Sequence, residues 1–265
     1  MWFIAENPNL LLFGIPLALF VGMLVMLELG RRAGLRRLAK DPEGAKERLG
    51  TVEGAIFGLL GLLIAFTFSG AAGRFDDRRK MVVQEANQLG DAWSRIDALP
   101  EKTQPPIRDA MRRYLESRLE TYRRIPDMKA VDEELERSAA IQDEIWKAAV
   151  AACAMPEGQR VTMLVLPALD SAFDWTLVRT ASAMHHPPGI IWIMLFVLSF
   201  GSALIAGYGM TGGRKRNWTY MIGFAAVIAI AVYTILDIEF PRVGLVRVDA
   251  VDQLLTDLLE TMRKS

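Results

Sequence analysis

The chain of 265 residues is long enough for one or two ordinary domains. Its 31 Lys and Arg balance 31 Asp and Glu, which argues against a nucleic-acid footprint, and the single cysteine, Cys153, excludes an internal disulfide and cysteine-based zinc sites. Hydrophobic residues make up 52% but aromatics only 9%, so the excess over an ordinary globular share is aliphatic.

Four segments match the roughly 20 apolar residues needed to cross a hydrocarbon core of about 30 Å. The first, 10–29, carries one charge, Glu28, near its end. No Lys or Arg precedes it and no small-residue cleavage site follows before Arg31-Arg32, so it is read as a retained span rather than a signal peptide. The loop 31–49 holds Arg31, Arg32, Arg36, Arg37, Lys40, Lys46 and Arg48.

The second segment, 52–72, begins with Glu53. Gly54, Gly58, Gly61, Ala65, Ser69 and Ala72 form one small-residue stripe along it, a pattern that lets helix backbones approach in lipid. The stripe serves either packing against a neighbour or assembly around a central axis. The opposite stripe, Phe57, Leu60, Ile64 and Phe68, faces lipid, another helix or a pore, whose apolar rings gate by dewetting. Thr67 and Ser69 are the polar positions of this segment. Glu53 is either a carboxylate favoured at a helix start or part of an ion path. No proline separates Ala72 from Arg95. The span is therefore expected to run on as a helix of roughly 60 Å, the alternative being a kink at Ser69-Gly70.

Residues 73–187 are a different material, with 17 Lys or Arg and 19 Asp or Glu. Apolar residues recur at helical spacing in four stripes: Val82 to Ile96, Ile107 to Tyr122, Val131 to Cys153 (with Leu135, Ala139 and Trp146), and Leu166 to Met184 (with Leu169, Phe173 and Leu177). Pro100, Pro105-Pro106, Pro126, Pro156 and Pro187-Pro188 punctuate them. The pattern predicts a helical bundle.

The third and fourth segments, 189–208 and 218–236, carry no charge, and the loop between them holds Arg214, Lys215 and Arg216. The positive-inside rule puts both basic loops in the cytoplasm and 73–187 outside. Arg74, Arg78, Arg79 and Lys80 weigh the other way. Asp237 and Glu239 close the fourth segment, as an acidic ring at a pore mouth or as part of a local salt bridge with Arg242. His185-His186 lacks companions for a metal site and is read as interfacial, with a pH response open to it. No phosphate loop, dinucleotide fingerprint, HExxH or GxSxG occurs, so neither an enzyme nor a cofactor is expected.

The run from Gly58 through Gly73-Arg74-Phe75-Asp76 resembles the bestrophin-like family of domains, as do Val83-Gln84-Glu85-Ala86-Asn87, His186-Pro187-Pro188 and Asp237-x-Glu239-x-Pro241-Arg242-x-Gly244. The resemblance covers nearly the whole chain and implies kinship with bestrophins, oligomeric channels lined by their second membrane helix. It carries over neither the bestrophin calcium clasp nor, firmly, the paired neck phenylalanines, for which Phe57, Phe66 and Phe68 are only nearby aromatics. Bestrophins keep their large domain in the cytoplasm, opposite to the charge count here.

The expectation is an all-α membrane protein: spans 1 and 2 in 1–72, an extramembrane helical domain in 73–187, spans 3 and 4 in 188–236, and a tail in 237–265. Its function is read as an oligomeric ion channel, pentameric by the resemblance, with a lean toward potassium or sodium over chloride. The pathway is expected along Glu53, Phe57, Gly58, Gly61, Ile64, Thr67, Phe68, Ser69, Asp237 and Glu239. Expected partners are the bilayer of the cell's inner membrane, inorganic ions and further copies of the chain. The alternative is a non-conducting scaffold or sensor whose helical domain binds a partner.

Overall fold

The computed structural model describes residues 10–40, 50–183, 185–210 and 216–264. Lys46, Arg48, Met184, Arg214 and Lys215 lie outside the described residues. Among the described residues the regular structure is helical throughout, without a strand: α1 (Ile15–Lys40), α2 (Gly50–Arg95), α3 (Gln104–Arg123), α4 (Met128–Cys153), α5 (Thr162–Ala183), α6 (Gly189–Gly209), α7 (Trp218–Glu239) and α8 (Asp249–Lys264). A π-helical turn, Leu10–Gly14, leads into α1. Helix α2 is continuous over 46 residues, with no break at Ser69-Gly70. At 1.5 Å per residue it is about 69 Å long.

Five helices are long and apolar enough to cross a membrane, one more than the sequence reading counts: Leu12–Lys40, Gly50–Ala98, Gln159–Ala183, Gly189–Gly209 and Trp218–Glu239. The additional one includes α5, whose mean hydropathy of 1.4 is lower than the 2.1 to 2.3 of the others. Asp170, Asp174 and Arg179 interrupt its apolar run and hide it from a search for uncharged segments.

Contacts divide the chain into two compact units. Among the described residues, the apolar unit comprises those from Leu10 to Arg74 together with those in His186–Phe240. Its core is built from Leu19, Met23 and Leu27 of α1, Leu60 of α2, Leu195 and Ala203 of α6, and Met221, Ala225, Val232 and Leu236 of α7. Helices α1 and α6 touch at backbone distance. A Cβ placed on Gly30 would stand 1.9 Å from the Leu204 carbonyl oxygen, and one on Gly207 would stand 2.0 Å from that of Leu27. Glycine is required at both, because any side chain would push the helices apart. Gly22 lies against Phe200 and, further along both helices, Gly30 lies against Leu204 and Tyr208, so α1 and α6 run parallel. Helix α7 runs against α1. Near its start Arg216 pairs with Glu28 at 2.6 Å, and further along Tyr233 stacks on Phe13 at 5.7 Å.

The charged unit comprises Phe75–His185 and the residues from Pro241 onward. Its core joins Val82, Leu89 and Ile96 of the α2 end, Ile107, Met111 and Leu115 of α3, Ile141 and Ile145 of α4, Val165, Leu169 and Phe173 of α5, and Leu255, Leu259 and Met262 of α8. The first two predicted stripes point inward as expected. The third is rotated: Ala139 is exposed, while Glu134 and Ser138 are buried. Hydrogen bonds make this possible, since the Ser117 hydroxyl lies 2.7 Å from both Glu134 Oε1 and Ser138 Oγ. In the fourth, Leu177 is exposed and the inward face carries Thr176 and Arg179. The residues read as a C-terminal tail fold into α8, an amphipathic helix whose apolar face closes this core.

Candidate ion pathway and its charge clusters

Helix α2 is the least covered of the membrane-length helices. In the apolar unit it packs through Leu60, Ile64, Thr67 and Ala71, all buried or partly so. Phe57 also turns inward, meeting Phe224 edge-on with ring centroids 5.9 Å apart. The small-residue stripe lies on the other side. A Cβ placed on Gly54, Gly58, Gly61 or Gly73 would meet nothing within 4 Å, and Ala65, Phe68 and Ser69 are exposed. Leu60, Ile64, Thr67 and Ala71 therefore pack within the subunit, and the small-residue stripe is uncovered together with Leu59, Leu62, Phe66 and Phe68.

The expected pathway residues separate accordingly. Gly58, Gly61, Phe68 and Ser69 stand on the uncovered side, whereas Phe57, Ile64 and Thr67 face the unit's interior. The Thr67 hydroxyl donates to its own helix, at the Leu63 carbonyl 2.7 Å away. Glu53 is half-buried beside Gly209, where a Cβ would come within 3.1 Å of its Oε1. Its carboxylate carries no ion pair among the described residues.

Asp237 and Glu239 are both buried at the end of α7. Glu239 is gripped by Arg74, with Nη2 at 2.7 Å and Nε at 3.0 Å from Oε2, and His186 Nδ1 lies 3.0 Å from Oε1. The two-pronged guanidinium contact is the geometry that makes arginine–carboxylate pairs strong. The His186 ring also lies against Phe240 at a tilt of 31°, 4.7 Å between centroids. Glu239 thus pairs with Arg74, from a motif far away in the chain. Arg242 donates to Asp252, Nη1 to Oδ2 at 2.8 Å.

A second cluster lies inside the charged unit. Fully buried Glu85 accepts from Arg118 Nε at 3.1 Å, from the Thr176 hydroxyl at 3.2 Å and from Arg179. Arg179 Nη2 also donates to Asp252 at 2.7 Å. The Tyr122 ring lies against three guanidinium groups, Arg179 at 3.8 Å, Arg242 at 4.5 Å and Arg118 at 5.2 Å. Its π face adds a further attraction to that of the carboxylates on these cations. Burial works against the Arg118 charge, but Tyr122 and Glu85 outweigh it and hold its pKa above the ordinary value.

Some residues of both clusters stand out in the sequence, but nothing there joins them. Arg74, His186 and Glu239 come from three of its motifs, and Glu85 and Arg242 from two. The partners Arg118 and Asp252 carry no signal of their own, because Arg and Asp on amphipathic helices are ordinarily solvated.

Long apolar helices carrying a charge-rich helical unit define a membrane protein. The chain belongs to the bestrophin-like domain family, which matches residues 14–252. It has no match among curated proteins or solved structures.

Proposed function

We propose that the protein is an oligomeric ion channel of the inner membrane, its pore built around α2 by several copies of the chain, and that it is not an enzyme. The observation that carries this reading is the uncovered small-residue face of α2. A face that lets backbones approach closely, left without a neighbour in its own subunit, suits the same helix of another copy. Kinship with the bestrophin-like family supports the channel reading.

Four spans are proposed: α1, the first half of α2, α6 and α7. The parallel course of α1 and α6 supports this count. One crossing back, by α2, restores the direction of α1, whereas an additional crossing by α5 would make α6 antiparallel to α1. Helix α5 then belongs to the extramembrane domain, in whose core it buries Val165, Leu169, Phe173 and Arg179. The contact between Glu28 and Arg216 supports both basic loops sharing one membrane face. By the positive-inside rule that face is cytoplasmic, and residues 73–187 lie outside.

The lean toward cations rests on Glu53, since Arg74 offsets Glu239. Flux into liposomes containing the purified protein, with potassium and chloride gradients set separately, tests the proposal. Potassium flux that falls in Glu53→Gln is the expected result. A folded oligomer that passes neither ion overturns it in favour of a scaffold or sensor.

A further inference from the structure

Residues 28–53 and 209–217, which flank and join the apolar helices, hold ten Lys or Arg against five Asp or Glu. Glu28 of α1 is shared by three guanidinium groups: Arg31 Nε at 3.1 Å, Arg32 Nε at 2.8 Å and Arg216 Nη2 at 2.6 Å. One carboxylate thus holds three cations in place and leaves two positive charges over. Arg216 also lies over the exposed Trp218 ring, 4.8 Å from its centroid. Arg37 donates to the Tyr208 hydroxyl at 3.0 Å. Arg36 and Lys40 are exposed and have no side-chain partner among the described residues. The other described carboxylate here is Glu53, half-buried beside Gly209.

The cations continue an apolar stripe. Val21, Val25 and Leu29 are exposed on α1, and exposed Arg32, Arg36 and Lys40 follow them at spacings of three, four and four. At about 100° per residue all six fall within an arc of about 100°, one face of the helix. Arg32 and Arg36 rise about 4.5 and 10.5 Å beyond Leu29. The headgroup layer is about 5–8 Å deep on each side of the hydrocarbon core, so these two arginines bracket it. A ligand for this face needs acyl chains for the stripe and a negative group for the column above it. Guanidinium groups match a phosphate with two parallel hydrogen bonds, and basic clusters beside a span attract anionic lipid. A lipid that also carries an ammonium group would meet repulsion from the same cations. We infer that the basic end of α1, with Arg216 beside it, binds the phosphate headgroup of an anionic phospholipid. The inference rests on α1 crossing the bilayer and holds whether or not the protein conducts.

The test is native mass spectrometry of the full chain in detergent, offered equal amounts of phosphatidylglycerol and phosphatidylcholine with identical acyl chains. Adducts of phosphatidylglycerol are expected to predominate. Arg36→Gln with Lys40→Gln breaks no ion pair among the described residues, so the fold should persist. This change is expected to lower the preference about tenfold, equivalent to about 1.4 kcal/mol. Lys102→Gln with Lys129→Gln removes the same charge from exposed positions of the charged unit and should leave the preference unaltered. Glycerol 3-phosphate, the headgroup chemistry without acyl chains, should not displace the lipid. Equal adducts of the two lipids, an equal loss in both double variants, or displacement by glycerol 3-phosphate would each overturn the inference, the last in favour of a free phosphate ligand. Lipid adducts are counted without any flux, so a failure of the channel reading leaves this result standing.

Discussion

Arg74 and Glu239, 165 residues apart in the chain, meet through two guanidinium nitrogens on one carboxylate, the shorter contact being 2.7 Å. Glu239 is almost fully buried, while Arg74 keeps an edge to the surface. The pair ties the end of α7 to the middle of α2 within the apolar unit.

Removing the arginine leaves a buried carboxylate with a weaker set of partners. Arg74→Gln is expected to destabilise the protein by about 3 kcal/mol, the lower end for breaking a buried pair because Arg74 is partly exposed and His186 remains. The double variant Arg74→Gln with Glu239→Gln should recover part of the loss. Thermal unfolding in detergent reads both, and a double variant no better than the sum of the singles would mean the two residues act separately.

Glu85 faces a harsher balance. Glu85→Gln leaves Arg118 and Arg179 buried without their shared carboxylate, and a loss of about 3–5 kcal/mol is expected. The damage should concentrate in the charged unit. Hydrogen exchange would then rise first in α3 and α5, and uniform protection in the variant would contradict the central place given to Glu85.

Two glycine substitutions should behave oppositely. Gly30→Leu places a side chain where a Cβ already comes within 1.9 Å of the Leu204 carbonyl oxygen, so folded protein should be lost. Gly58→Leu meets nothing within 4 Å in its own subunit, so the subunit should fold while oligomer and flux are lost. Size-exclusion chromatography with light scattering distinguishes the two. A Gly58→Leu variant with unaltered oligomer and flux would remove the stripe from the interface.

Leu255 of α8 is fully buried and its neighbour Leu254 is largely exposed. Leu255→Ala should cost about 2–5 kcal/mol and Leu254→Ala much less, as a core position and a surface one differ. Equal effects by thermal unfolding would show that α8 does not close the core.

The sequence makes some of this legible and hides the rest for physical reasons. The long apolar helices and the faces Val82 to Ile96 and Ile107 to Tyr122 follow from helical periodicity alone. The face of α4 does not, because Glu134 and Ser138 look like surface residues until Ser117 supplies their hydrogen bonds. Helix α5 is obscured in two ways. Its charges mask an apolar run long enough to span, and Arg179, nominally a surface residue, is buried on Glu85 and Tyr122. The uncovered side of α2 is written in its glycines, but which stripe packs inside the subunit is decided by Leu60 and Phe57 finding partners on other helices. The acidic residues that close the last apolar segment are plain in the sequence, yet the electrostatic meaning of Glu239 depends on Arg74, which only folding brings to it.

The glycine contacts between α1 and α6 also limit how the membrane part can move. Sliding either helix by one residue, about 1.5 Å of axial travel, would bring a side chain to the place now held by the hydrogens of Gly30 or Gly207. The two helices therefore act mechanically as one strut. In the proposed channel, any rearrangement that widens or narrows the pore is left to other helices than this pair, and a cross-link between α1 and α6 should leave conduction intact.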